Sequence, residues 1–345
     1  VSYERSLNRY SRVALALGVS VVLTCAILAL FSGNFFAALE QFFIEPFSNR
    51  YFFGNLIADT IPLIISGLGV LFAFRSRNFN LGGEGQIYAG ALAAGALVLN
   101  FESRANPCAV WLSAMIVGMV TGGFIGALSG FLKASRKVSE MISSFLISAI
   151  IINVSDFFIT GPLQDPQSNF QSTRHIASTF LLPKILAPSK LDISLFLAIA
   201  LVLIISIIAN RTKFGFELKI YGENEEFARY CGIHVPRYEI IAMVLSGALY
   251  GLSGALLVIG PQARVMRGFT SGIGWSAISV ALLAQGSEAA IVPAALFIAY
   301  LGAGSNHVMI GSGIPSEIIS LLQAIALFFI TAQAFPVLRG ARRHK

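Results

Sequence analysis

Charge is what this chain has least of. Only 12% of its residues are charged and 56% are hydrophobic, whereas a soluble domain carries about a quarter charged residues. Its longest polar stretches run to about thirty residues, too few to hold a separate soluble domain. Cysteine is scarce as well. Cys25, Cys108 and Cys231 are far apart and lack metal-ligand spacing, which argues against disulfide or zinc roles and leaves small apolar packing residues. His175, His234, His307 and His344 are scattered, so no metal site is expected. No Gly-Lys dipeptide occurs anywhere. A P-loop is thereby excluded, and the chain cannot cradle ATP phosphates in one. Neither a nucleophile elbow nor a pair of catalytic carboxylates is present. The chain does not read as an enzyme, and no cofactor is expected.

Long hydrophobic runs are what it has in plenty. They fall at about 13–32, 55–74, 81–100, 108–132, 138–160, 191–210, 240–260, 272–286, 289–305 and 317–335, and about twenty apolar residues span a bilayer. The expected fold is all-α: a polytopic integral membrane protein of about ten transmembrane helices, forming one domain over 1–345. The segments near 272–305 are short and read equally as one crossing plus a re-entrant piece, which needs protein or a water-filled cavity around it. With both termini cytoplasmic, the inner segments hold 17 of the 24 Lys and Arg residues. The excess of +7 therefore follows the positive-inside rule and does not call for nucleic acid. The first run follows Arg5, Arg9 and Arg12 but lacks an A-x-A cleavage site, so an uncleaved helix is expected. Residues 161–190, with four prolines, form an external loop, and a short surface helix fits within it.

Glycine is placed with a pattern. Gly118, Gly122, Gly126 and Gly130 recur at every fourth residue, a seam that lets helix backbones approach closely in lipid. Gly247, Gly251 and Gly254 repeat the theme. "MVTGGFIGALSGFL" (119–132) is similar to "MVLSGALYGLSGAL" (243–256), on helices expected to cross in opposite directions, as in an inverted repeat. Glycine-rich apolar helices match by chance, so this likeness carries little weight alone.

Three polar stretches break the apolar pattern. In "RSRNFNLGGEGQIYAG" (75–90), Glu84 is either a helix-start carboxylate favoured by the dipole, or part of a broken helix lining a path, with Asn80 and Gln86 beside it. The second stretch, 133–158, places Ser139, Glu140, Ser143, Ser144, Ser148, Asn153 and Ser155 in or beside an apolar helix. Helix hydroxyls can bond back to their own backbone, so only some of these are expected to face a pore. The third is the long cytoplasmic loop 211–239. Gly222, Glu223, Asn224, Glu225 and Glu226 read as a helix start and Gly232 as its left-handed end. The short helix between, with Phe227, Ala228 and Tyr230, is unstable alone and must pack on something: the chain's own loops, or a cytoplasmic partner.

Together these stretches resemble one family. "NFNLGGEGQIYAGALAA" is similar to "FNIGxEGQMxxGAxxA", "VSEMISSFLIS" to "VNEVISTLMLN", and the segment 215–257 to "GxxLRAVGxNxxAAxYAGIxVxRxxxxAxxLSGALAGLAGA". Residues 272–304 resemble "GxGFxGIAVALLGxxxPxGIxxAALLFGxLxxG". The family is that of membrane permeases of branched-chain amino acid and ribose type ABC importers, nearest the simple-sugar and nucleoside branch that includes riboflavin importers. The resemblance implies a permease subunit in the cytoplasmic (inner) membrane, carrying a nucleoside-like or riboflavin-like solute, with a simple sugar as the alternative. It implies a sister permease, cytoplasmic ABC ATPases and an external substrate-binding lipoprotein as partners. The translocation path would draw on Asn80, Glu84, Gln86, Ser139, Glu140 and Ser148. ATPase coupling would draw on Gly222, Glu223, Asn224, Phe227, Ala228, Tyr230 and Gly232. The chain departs from the pattern at Arg77, at Ser139 and Ser148 where asparagines are usual, and at 286–290, which lacks the usual proline. An ion-coupled transporter is disfavoured, because the acids lie mostly near expected helix ends.

Overall fold

The computed structural model describes residues 22, 25–26, 28–101 and 106–312. The described residues are helical, joined by loops with three isolated β-bridges. The helices are α1 (Phe35–Phe43), α2 (Arg50–Arg75), α3 (Gly83–Phe101), α4 (Pro107–Arg136), α5 (Glu140–Thr160), α6 (Ser194–Arg211), α7 (Lys213–Glu223), α8 (Glu225–Tyr230), α9 (Val235–Leu257), α10 (Ile273–Ala284) and α11 (Glu288–Ser312). Six of them, α2, α4, α5, α6, α9 with its continuation to Gln262, and α11, are long and apolar enough to cross a membrane. The expected count of about ten is not reached among the described residues. The run at 317–335 lies outside them, and that at 13–32 largely so.

Local sequence sets many boundaries. Asn106 accepts the amide of Cys108 (2.9 Å) and Pro107 opens α4, where a missing N–H costs nothing. Lys137 then ends α4 in the left-handed conformation, φ 57°. Thr212 and Asn224 cap α7 and α8 through the amides of Gly215 and Phe227. Gly260 and Pro261 break the helix after α9 through a wide turn at Val258–Gln262; the proline supplies no amide and the glycine takes a φ/ψ of −111°/−105°.

The chain forms two compact units. The smaller comprises residues up to Leu56 and from Leu296 onward. In it, α1 lies along the second half of α11, with Leu28, Ala38, Phe42, Leu301 and Val308 as its core. Tyr300 donates to the Phe43 carbonyl (3.3 Å), Ser312 to Gln41 (2.7 Å), and His307 packs edge-on against Phe52 at 4.4 Å.

The larger unit, Ile57–Ala295, is built around α9. α4 runs antiparallel to it: Gly118 meets Gly251, Gly122 meets Gly247 and Gly126 meets Met243, each where a side chain would strike backbone. α3 runs parallel to α9, with Asn80 at Ser246, Gly83 at Tyr250, Gly254 at Ile87 and Gly95 at Val258. α2 is antiparallel to α9, since Ser253 donates to the Pro62 carbonyl (3.2 Å) and Gly69 sits on Ser246. These relative directions agree with the alternation read from the apolar runs. The two glycine-rich segments of similar sequence are the two helices in closest mutual contact, consistent with their opposed directions.

Gly222 and Glu223 do not begin the short helix of the 211–239 loop; they end α7, a helix in its own right within that loop, and Asn224 caps α8. The surface helix expected within 161–190 is a single 3-10 turn, Ser178–Phe180.

Candidate functional site

After its break at Gly260 the chain does not continue as a helix. Residues 263–272 run back along α3 in irregular conformation. The Ile176 amide donates to Ala263 (2.8 Å) and that of Thr173 to Val265 (2.9 Å), so loop 161–192 supplies the hydrogen bonds a strand neighbour would. Arg267 pairs with Asp156 (3.2 Å) and donates to Gln171 (3.1 Å). The Gly268 amide donates to the Tyr88 hydroxyl (2.8 Å), which itself donates to Asp156 (2.5 Å). One turn nearer the start of α3, the segment reaches Glu84.

Glu84 is the second residue of α3, yet its carboxylate serves a different helix. One oxygen accepts from the Gly272 amide (2.9 Å) and the other from Gly274 (2.8 Å), the first amides of α10. A carboxylate on exposed amides at a helix start is doubly favoured, by hydrogen bonding and by the dipole. Gly274 is required there, because a Cβ would lie 2.8 Å from both the Glu84 backbone and its carboxylate. From this junction α10 runs only 12 residues, about 18 Å of helix, too short for a 30 Å hydrocarbon core. The region read as a short crossing is thus an irregular descent followed by a half-length helix, after which Gln285 and Gly286, both at positive φ, turn the chain into α11.

The neighbours of Glu84 hold the start of α3 in place. Asn80 donates to Gln86 (2.8 Å) and Ser246 (3.0 Å) and accepts from the Gly82 amide (3.0 Å). Ser144 and Ser148, one turn apart on α5, accept the amides of Leu81 (3.1 Å) and Gly85 (2.8 Å). Glu140 accepts from the Phe79 amide (3.3 Å) and pairs with Lys133 (3.1 Å), which donates to Asn78 (2.6 Å). Asn80, Gln86, Ser148 and Glu140 are buried within the chain, Glu84 is half-buried and Ser139 is exposed. The structure therefore brings Asn80, Glu84, Gln86, Glu140 and Ser148 together and leaves Ser139 at the rim. The sequence marks Ser144 only as one of the polar residues of 133–158, not as part of the path, and does not mark Ser246, Tyr250 or the amides of Gly272 and Gly274. Ser144 is one of several helix serines, and the others show only when the helices are packed.

A second cluster joins the opposite end of α10 to the loop 211–239. Arg75, the last residue of α2, forms an ion pair with Glu288, the first of α11. It also donates to the Ala209 carbonyl (3.2 Å) and to Asn210 (3.3 Å) at the end of α6, and Asn210 donates to Glu288 (3.3 Å). α7 is pressed on the same spot, because a Cβ on Gly222 would collide with the Arg75 carbonyl. Phe214 stacks between Phe72 (6.0 Å) and Tyr238 (5.5 Å). α8 follows, with Ala228 buried, Phe227 55% exposed and Tyr230 90% exposed. Gly232 ends this arm at φ 78°. In Tyr221 of α7, burial and the nearby Glu239 carboxylate push the hydroxyl above its ordinary range.

A helical bundle with a broken crossing, a carboxylate at the break and an amphipathic arm hung from the helix ends defines a polytopic membrane protein of the transport kind. Residues 52–331 match the family described as branched-chain amino acid transport system / permease component, and the chain belongs to that family. Among its relatives, a probable riboflavin import permease of Treponema pallidum is 33% identical over 99% of this chain and 90% of that protein. A guanosine ABC transporter permease of Bacillus subtilis is 31% identical over 83% of this chain and 82% of its own length. A glucose ABC transporter permease of Haloferax volcanii is 28% identical over 85% and 79%. The chain is a multi-pass membrane permease subunit of an ABC transporter, and ATP hydrolysis belongs to a separate subunit.

Proposed function

We propose that this permease forms half of the path of an ATP-driven importer for a heterocyclic solute of the riboflavin or nucleoside kind. The observation that carries the path is the break at Glu84. Irregular backbone and a carboxylate within a membrane bundle require protein or water around them, and a half-length helix with its start turned to such a space is how transporters build a solute site. Glu84 faces that space. Asn80, Gln86, Glu140 and Ser148 act behind it, fixing the start of α3, with Ser139 at the inner mouth. A sister permease supplies the other wall, both termini are cytoplasmic, and an external lipoprotein delivers solute above loop 161–190 and residues 262–271.

Coupling to the ATPase runs through α8. A six-residue helix has no stability of its own, and its exposed Phe227 and Tyr230 offer an aromatic anchor for a groove on the ATPase. Gly222, Glu223 and Asn224 set its approach and Gly232 its exit, while Ala228 seats it on the bundle. The solute class is supported by the riboflavin and guanosine permeases among the relatives. The glucose permease keeps a simple sugar as the second reading.

The test is uptake. The permease is co-expressed with its ATPase, sister permease and lipoprotein in cells lacking their own carriers, and supplied with labelled riboflavin, guanosine or glucose. ATP-dependent accumulation of riboflavin or guanosine, competed by the other compounds of its class and not by glucose, is the expected result. Accumulation of glucose alone would overturn the solute class.

A further inference from the structure

Two aromatic rings stand open beside the break. Trp275 on α10 and Phe145 on α5 have ring centroids 6.1 Å apart and planes inclined at 60°, and they are 47% and 46% exposed. Both are tied to the Glu84 junction. Trp275 directly follows Gly274, whose amide holds Glu84, and Phe145 directly follows Ser144, whose hydroxyl holds Leu81. The pair thus comes from two elements that both bond to the start of α3.

Exposed aromatics on a membrane protein ordinarily meet lipid. Three observations separate this pair from the many exposed phenylalanines. Glu84, within the same few residues, is a half-buried carboxylate and cannot face hydrocarbon. Ser271, just before α10, is exposed on irregular backbone, which lipid does not tolerate either. Among the described residues the Trp275 indole N–H has no acceptor. A tryptophan in lipid normally sits at the headgroup level, where its N–H finds one. The Gly85–Ser148 contact places this junction eight residues into α5, about 12 Å from that helix's inner end.

We propose that Trp275 and Phe145 form an aromatic subsite that receives the planar ring system of the solute. The inference rests on the heterocycle reading above and deepens it. A flat aromatic ring stacks on indole or phenyl whatever its substituents, and the free indole N–H matches the ring carbonyls and nitrogens of a flavin or a purine. Two half-open rings leave the solute exposed on one side. A permease needs such a hold, firm enough for entry and weak enough for release.

The experiment uses the whole importer in lipid nanodiscs and in cells. Trp275→Leu and Phe145→Leu should each raise the KM for the transported heterocycle at least tenfold in importers that still assemble. Trp275→Phe should stay within threefold of the parent in KM. A second readout needs no folding-sensitive variant. Riboflavin emission, or that of 2-aminopurine riboside for a purine carrier, is quenched on contact with indole but not with phenyl. Bound probe should be quenched in the parent and released from quenching in Trp275→Phe. KM values within twofold of the parent in both assembled Leu variants would overturn the subsite. So would equal quenching in parent and Trp275→Phe, which decides the matter if the Leu variants do not assemble. In either case uptake of the heterocycle by the parent would leave the solute class standing. Uptake of glucose alone by the parent would remove the solute class and the subsite together.

Discussion

Gly122 of α4 and Gly247 of α9 face each other so closely that a Cβ on either would fall inside contact distance of the other's carbonyl oxygen. The relation is reciprocal, and it recurs one turn away between Gly118 and Gly251. Helix association in lipid gains little from apolar burial and depends on close backbone packing. This seam is therefore where the larger unit is most sensitive to added volume.

Gly122→Ala is expected to destabilise the permease by about 1–3 kcal/mol, the cost of overpacking a filled contact. Gly247→Ala should do the same. Because both substitutions press on one contact, their combined effect should depart from additivity. Thermal unfolding of the detergent-solubilised complex measures this, and an unchanged midpoint for both single variants would contradict the seam.

The Arg75–Glu288 pair is buried, with side chains 16% and 5% exposed. Removing one partner leaves a charge without compensation, at about 3–5 kcal/mol. Arg75→Met should therefore lower stability markedly, and Arg75→Met with Glu288→Leu should recover much of the loss. Comparing unfolding midpoints of the single and double variants tests this, and a double variant no better than Arg75→Met would contradict it.

Glu84→Gln keeps an oxygen for one of the two amides but loses the charge that favours the start of α10. Such a charge contributes about 0.3–1 kcal/mol, up to 2 when partly buried, so folding should change little. Transport should fall at least tenfold if the carboxylate faces the path. Cysteine scanning gives the complementary readout. A cysteine at 84 should react with a water-soluble thiol reagent at a rate that changes with ATP, whereas cysteines at 80 and 86 should be protected, because Asn80 and Gln86 are 2% and 1% exposed. Equal reactivity at all three positions would contradict this division.

Phe227 is exposed on the free face of α8, so Phe227→Asp should leave insertion and unfolding unaltered. Loss of a buried aromatic anchor commonly costs 2 kcal/mol or more of binding, so ATPase recovery on co-purification should drop by about tenfold or more. Normal transport with normal ATPase recovery would sink the docking reading.

Much of the architecture was legible in the sequence because the constraints behind it are local. Runs of apolar residues mark helices wherever water is absent. Gly232 closes the arm through the left-handed conformation that glycine favours. The relative directions of α2 to α5 and α9 follow from counting crossings, and the family follows from the motifs around Glu84 and the 211–239 loop. α7 is not legible in the sequence because its pattern is mixed and its stability comes from packing: Gly215 against the end of α6, Gly222 against Arg75, and Phe214 between two rings.

What only the tertiary structure decided was which side chain serves which helix. Glu84 reads as a cap for its own helix but holds the amide of Gly272, 188 residues later, where α10 begins. Arg75 finds Glu288 across an interval that the sequence leaves open. Of the serines of α5, two hold α3 while Ser139 holds nothing comparable. The reason lies in the helices themselves. Most are apolar on all sides, so no polar face tells which way a residue points, and a polar group's partner is fixed only when neighbouring backbones come within hydrogen-bond reach.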